Sequence, residues 1–177
     1  MNSFTNKNEA WVSPQAIVED GVSLGLGTQV WEFTKIRSGA KVGANVSIGQ
    51  AVYIGPGVVI GDNCKIQNGA QIYEPAIIGE GVFIGPGAIL TNDRHPSAVN
   101  MDGSKKRSDD WTRAAVTVGD FASVGAGAIC LAPLNIASEA QVGAGAVVTR
   151  DVEGRALVLG IPARPVNSRS EFAKGDE

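Results

Sequence analysis

The chain is poor in groups that ionise near neutrality: one histidine in 177 residues, His95, and two cysteines, Cys64 and Cys130. Two thiols are too few for a disulfide scaffold and suit a reducing compartment. A surplus of positive charge is also missing, with 15 Lys+Arg against 18 Asp+Glu and a formal net charge of −3. Such a chain has no field to draw in nucleic-acid backbones or anionic lipid, which argues against partners of either kind. No apolar run approaches the roughly 20 residues of a membrane span. The opening MNSFTNKNEA has no basic stretch followed by an apolar one, so no secretory leader is expected and a cytoplasmic location is. Glycine, by contrast, is in excess: 23 residues, about 13% where roughly 7% is usual, in a chain that is 44% hydrophobic. Much glycine in an apolar chain implies a fold that turns often and regularly.

The regularity has a period of six. From Val12, every sixth residue up to Leu90 is aliphatic: Val12, Val18, Leu24, Val30, Ile36, Val42, Ile48, Ile54, Ile60, Ile66, Ile72, Ile78, Ile84 and Leu90. With Val, Ile and Leu making up 41 of 177 residues, such a run has a chance on the order of 10⁻⁹ in a fixed register. Four residues after each aliphatic stands a small side chain, as at Thr28, Thr34, Ala40, Val46, Cys64 and Ala88. Three residues after it Gly or Asn dominates, as at Gly21, Gly39, Asn45, Gly57, Asn63 and Gly87. Six is not a helical multiple, and β-branched residues lead the inward set, so the units read as short strands. The Gly/Asn position reads as a turn residue with positive φ. Three hexads close a triangular coil of 18 residues, and coils stacked at about 4.8 Å form a parallel β-helix around a column of Val and Ile. In this register Cys64 and Cys130 are small core residues.

The pattern breaks once. Arg94 stands where a small inward residue is due, and the repeat resumes at Val118, running through Val124, Cys130, Ile136, Val142 and Val148. The intervening RHPSAVNMDGSKKRSDDWTR is polar and turn-rich, as an exposed loop should be, and long loops in compact repeats are usually functional or disordered. The expected organisation is one β-helix domain over residues 1–166, of about seven coils with an external loop near 93–113, and a polar tail over 167–177.

A period of 18 also states which outward residues line up. One corner stacks Trp31, Glu32 and Phe33 under Gly49, Gln50 and Ala51, then Gln67, Asn68 and Gly69. This ladder of polar groups beside two aromatics serves either subunit packing or recognition of a polar ligand. The neighbouring corner places Glu74 one coil below Asn92, where the loop departs, with His95 three residues on. In the second block Gly125, Ala126 and Gly127 lie 18 residues before Gly143, Ala144 and Gly145. With the register kept, Ile161, Pro162 and Ala163 would lie above them, and a strip of Gly and Ala lets a thin ligand reach the backbone.

Hexads of the form aliphatic-Gly-x-Gly-small-x resemble the left-handed β-helix, hexapeptide-repeat acyltransferases over roughly residues 12–166. VWEFTKI (30–36), IGQAVYIG (48–55), KIQNGAQIYEPA (65–76), LTNDRHPSA (90–98) and VLGIPARPV (158–166) are similar to the branch that acetylates the 3-amino group of nucleotide-linked deoxyamino sugars. The resemblance implies the left hand, a homotrimer with sites between subunits, acetyl-CoA as donor and no metal. It places Asn92 near the reacting amine, Gln50, Asn68 and Tyr73 along the sugar and nucleotide pocket, and Trp31 and Phe33 at its wall. Arg107, Trp111 and Arg113 of the loop would serve the pyrophosphate. Ala126 and Ala144 would bond the pantetheine arm through the backbone, and Arg164 would meet the CoA phosphates. Two residues depart from the pattern. Glu32 stands where some relatives carry His. Ser97 stands where many carry Arg, which leaves that phosphate contact to Lys105, Lys106 or Arg107.

A sugar amine titrates below the roughly 10.4 of lysine, so some of it is unprotonated at pH 7 and a strong protein base is not required. The expected division of labour has Asn92 orienting the amine, Glu74 orienting it or receiving its proton, and His95 assisting. O-Acylation of a sugar or small alcohol is the alternative, with His95 then an essential base. A non-catalytic assembly module is a third reading. A zinc site needing three histidines from two subunits is incompatible with one histidine per chain.

Overall fold

A computed structural model describes residues 9–166, and these form an all-β, three-sided parallel β-helix with no α-helix among them. Its strands are mostly two residues long: the first residue points out and the second, the hexad aliphatic, points in. One face stacks Trp11–Val12, Gln29–Val30, Ser47–Ile48, Lys65–Ile66, Phe83–Ile84, Ser123–Val124, Gln141–Val142 and Leu157–Leu159 in parallel. The second face runs from Ile17–Val18 through Tyr53–Ile54 and Ile89–Leu90 to Val147–Val148, and the third from Ser23–Leu24 through Ile77–Ile78 to Leu134–Ile136. Eight parallel strands on the first face make close to eight coils, one more than the hexad count suggests.

The register is 18 from Trp11 to Leu90, as in Val30↔Ile48 and Ile36↔Ile54, and again from Val116 to Val148, as in Cys130↔Val148. The Gly and Asn turn positions Gly21, Gly27, Gly39, Asn45, Gly57, Asn63, Gly69, Gly81 and Gly87 all have positive φ, from 55° at Asn45 to 78° at Gly21. Phe33 (φ 60°) and Ala51 (φ 54°) share that position without being Gly or Asn, a backbone cost that L-residues rarely accept.

From Val30 to Val148 the hexad aliphatics are buried, along with the small residues from Thr28 to Val152. Val12 differs, being 36% exposed, and Val18 and Leu24 are only half-buried. They lie on the first coil, which among the described residues has a neighbour on one side only. Cys64 and Cys130 are both fully buried and free. Burial pushes the Cys130 thiol up to about 12 and also raises that of Cys64.

The loop leaves after Leu90 and returns at Val116, so Ile78 pairs with Val118 rather than with a residue 18 positions on. It is pinned at its base, where Ala114 N donates to Asn92 O at 2.9 Å.

The register expected at the C-terminal end is not kept. Val142 pairs with Val158 and Ile136 with Val152, sixteen residues apart, because the corner between Val148 and Val152 is two residues short. The chain then reverses, Val158 pairing antiparallel with Pro165 and Leu159 with Arg164. Leu159, rather than Ile161, therefore covers Gly143, where a Cβ would collide with the leucine side chain. The expected tail over 167–177 lies outside the described residues.

Candidate active site

The proposed site residues fall on two edges of the prism, separated by the second face. On the edge between the first and second faces, Gln50 Nε2 donates to Glu32 Oε2 at 3.0 Å, and Gln50 N donates to Asn68 Oδ1 at 2.9 Å. The ladder inferred from the period of 18 is thus a hydrogen-bonded one. Below it Trp31 meets Trp11 edge-on with ring centroids 5.4 Å apart, and Phe33 stands 68% exposed beside them on its left-handed turn.

The same edge continues upward through Gly85, Pro86 and Gly87 into the Gly–Ala strip. Carbonyls of the strip are used between coils: Gly127 N donates to Pro86 O and Gly145 N to Ala126 O, each at 2.8 Å. At three corners an Asp or Asn one coil up caps the middle amide, Asp62 on Ala44 N, Asn68 on Gln50 N and Asp120 on Glu80 N. Above Ala126 stands Ala144, and above Ala144 stands Gly160, neither with a side-chain acceptor. The N–H groups of Ala126 and Ala144 are accordingly exposed and unpaired among the described residues. Ala144 also borders an open groove of ≈ 570 Å³ with Leu157 and Leu159. Arg164 lies on the terminal hairpin, exposed, and donates to the adjacent Ala163 O.

The edge between the second and third faces carries Tyr73, Glu74, Asn92, His95 and the returning loop. Tyr73 packs on Tyr53 with centroids 5.2 Å apart. Glu74 Oε1 is bonded by Arg113 Nε at 3.2 Å, and the Arg113 guanidinium sits 5.4 Å from the centre of the Trp111 ring. Glu74 makes no hydrogen bond to Asn92 or His95, so the three candidates for handling the amine share a corner without forming a relay in one protomer. His95 is exposed: its backbone N–H donates to Asp93 Oδ1 at 2.8 Å, and its ring has no hydrogen bond among the described residues. Arg107, exposed on the loop, is fixed through its backbone N–H on Asp110 Oδ2. Lys106 forms an ion pair with Asp93 at 3.8 Å.

The sequence reading missed a cleft of ≈ 480 Å³ on this edge, between the start of the loop (Thr91, Asp93, Arg94, Pro96) and the coils above (Leu131, Ala132, Pro133, Thr149). Thr91 holds its floor: Oγ1 donates to Cys130 O at 3.2 Å and accepts from Ala132 N at 2.9 Å. The available signal was the 18-residue register carried across the loop, which puts Thr91 beneath Leu131. Also missed is Arg37, whose Nε bonds Glu19 and whose NH1 reaches the Tyr53 hydroxyl at 3.5 Å. Capping by Ser38 N, then Arg37, holds the Glu19 carboxyl below its usual range.

Among solved structures, the fold is similar to PerB from Caulobacter crescentus, crystallised in complex with CoA and GDP-perosamine. The two share 22% identity with a TM-score of 0.52, over 91% of this chain and 58% of that one. It is also similar to WeeI from Acinetobacter baumannii AYE, with 26% identity and a TM-score of 0.56, over 87% of this chain and 56% of that one. The chain thus spans less than two thirds of either. A serine acetyltransferase of Mycobacterium tuberculosis is 42% identical over 50 residues, 28% of this chain and 22% of that protein. The sequence matches the family described as bacterial transferase hexapeptide (six repeats) over residues 57–92. It matches that described as hexapeptide repeat of succinyl-transferase over 39–74 and 115–150. With about half of its length in these matches and three faces built from their repeat, the chain belongs to the bacterial hexapeptide-repeat transferases.

Proposed function

We propose that the protein is an acetyl-CoA-dependent N-acetyltransferase acting on the 3-amino group of a dTDP- or UDP-linked 3-amino-3-deoxy sugar, and that it works as a homotrimer. The observation that carries this reading is the single edge on which the Glu32–Gln50–Asn68 ladder leads into the unpaired amides of Ala126 and Ala144. A polar ladder suits a sugar, and a row of backbone donors flanked by small side chains suits the amide-bearing pantetheine arm. PerB, with the same fold, holds CoA together with a nucleotide-linked amino sugar. Because Asn92 and Glu74 lie on a different edge from that ladder, a complete site takes one edge from each of two subunits. Exposed Val59, Ile77, Phe83 and Phe121 around the remaining edge support such association.

In this reading the neutral amine attacks the thioester carbonyl carbon. The C–N bond forms, the C–S bond breaks, and the amine proton leaves with the CoA thiolate as the free thiol. Asn92 orients the amine, and holding two bound reactants in line supplies about 7–11 kcal/mol of the barrier reduction. The unanchored ring of His95 supports a reaction without an obligatory protein base. The short match to a serine acetyltransferase favours O-acetylation as the second reading. A thiol-release assay with paired nucleotide sugars that differ only in 3-amino against 3-hydroxy decides between them. N-Acetyltransfer predicts turnover of the amine alone, whereas turnover of the alcohol alone overturns it.

A further inference from the structure

The contact between Glu74 and the returning loop gives that carboxylate a role other than proton transfer. Arg113 reaches Glu74 Oε1 through Nε at 3.2 Å, while its terminal nitrogens NH1 and NH2 have no acceptor among the described residues. The guanidinium is held over the Trp111 ring at 5.4 Å. Arg113 immediately precedes Ala114, whose amide bonds Asn92 O, so its backbone is tied at the base of the loop beside the residue proposed to orient the amine. Glu74 itself turns the other way. Its Oε2 lies over Gly55, one coil below, where a Cβ would fall 2.5 Å from it. One oxygen is thus engaged by a cation and the other faces the backbone beneath, leaving neither directed at Asn92.

We propose that Glu74 is a positioning residue. It acts through Arg113, holding the guanidinium on Trp111 so that its two free nitrogens bond an anionic oxygen of the acceptor's diphosphate. The inference rests on the acetyltransferase reading for its kinetics, but not for its binding. A guanidinium fixed by one carboxylate and one ring has lost most of its side-chain freedom before the ligand arrives, so less order has to be imposed on binding. Two coplanar N–H groups also match a phosphate better than a point charge does.

The test uses the full chain and its E74Q, R113Q, R113K and E74Q/R113Q variants. Each is titrated calorimetrically with the nucleoside diphosphates dTDP and UDP, and the better of the two is followed through the series. A melting curve for each variant checks the fold, which a surface pair should leave intact. Expected is about tenfold weaker binding for E74Q and at least tenfold for R113Q. The double variant should be no weaker than R113Q, because Glu74 has nothing to position once the cation is gone. R113K should recover only part of the loss. In the thiol-release assay E74Q should raise KM for the sugar nucleotide about tenfold, keep kcat within about threefold, and leave the pH profile of kcat in place.

Wild-type affinity for the diphosphate in E74Q, or a wild-type chain that binds neither diphosphate, overturns the proposal. So does a fall in kcat of a hundredfold with a changed pH profile in E74Q but not in R113Q, which is the signature of a proton acceptor. If no amino sugar is turned over while the diphosphate series behaves as described, the reaction assigned to the protein fails and the role of Glu74 stands.

Discussion

Thr28 and Thr34 occupy inward positions where the hexad asks only for something small, yet each carries a hydroxyl into a fully buried site. The cost is met in full: Thr34 Oγ1 donates to Gly49 O at 2.6 Å and accepts from Val52 N at 3.1 Å, stitching one coil to the next. A Thr34→Val variant keeps the shape and strands both partners, so urea unfolding should show a loss of about 1–3 kcal/mol. Cys130 is an inward residue of the opposite kind, with a thiol that burial lifts to about 12 from the ordinary value of 9.0. Ellman's reagent at pH 8 should therefore label no thiol in the native protein and both once it is unfolded. Because the unfolded chain alone ionises this thiol, the native state loses stability as pH rises from 9.0 towards 12. His95 is exposed and its ring has no hydrogen-bond partner among the described residues. His95→Ala should lower kcat by no more than about tenfold, and a fall of 10³ or more in the steady-state assay would mark it as an essential base.

Each two-residue strand makes little secondary structure of its own, and the element that holds together is the column it contributes to. Ile48, Ile66 and Ile84 stack at like positions in successive coils, all fully buried. Ile66→Ala, in the middle of the column, leaves a cavity that neighbours above and below cannot fill without breaking register. Chemical denaturation should record a loss of about 2–5 kcal/mol. The loop behaves as a different kind of element. Its base is tied by Ala114 to Asn92 and its return by Arg113 to Glu74, while its interior hangs on local turns such as Asn100 and Ser104 around Asp102 and Asp110. These turns account for the lowered carboxyls of Asp102 and Asp110, which are bonded by Ser104, and by Asn100 and the Arg107 amide.

At the scale of the whole molecule, the ladder and Asn92 lie on separate edges of the prism. Under the proposed homotrimer, a second copy placing one edge against the other would complete the site, and three-fold closure would leave no half-site unused. Sedimentation equilibrium should give a mass near three chains of 18.3 kDa, and a monomer at assay concentrations would leave the ladder and Asn92 without each other. Dilution below the dissociation constant of the trimer should then abolish turnover without unfolding the chain.

The repeat was legible because a solenoid writes its tertiary structure locally. Each coil contacts only its neighbours, so inward residues, left-handed turns and corner stacks all recur at 6 or 18 positions. The Glu32–Gln50–Asn68 ladder and the burial of Cys64 and Cys130 could be read in the same way. Where the period lapses, sequence is silent. Nothing in RHPSAVNMDGSKKRSDDWTR states that Arg113 turns back onto Glu74, a pairing 39 residues apart whose geometry depends on how the loop closes. Nor could the two-residue deletion between Val148 and Val152 be seen to redirect the last coil into a hairpin and seat Leu159 on Gly143. The hexads by themselves determined the helix, its core and its aligned corners, because those follow from nearest-neighbour stacking. Only the tertiary structure decided which charges meet across the loop and which amides stay free, because these depend on contacts that no period encodes.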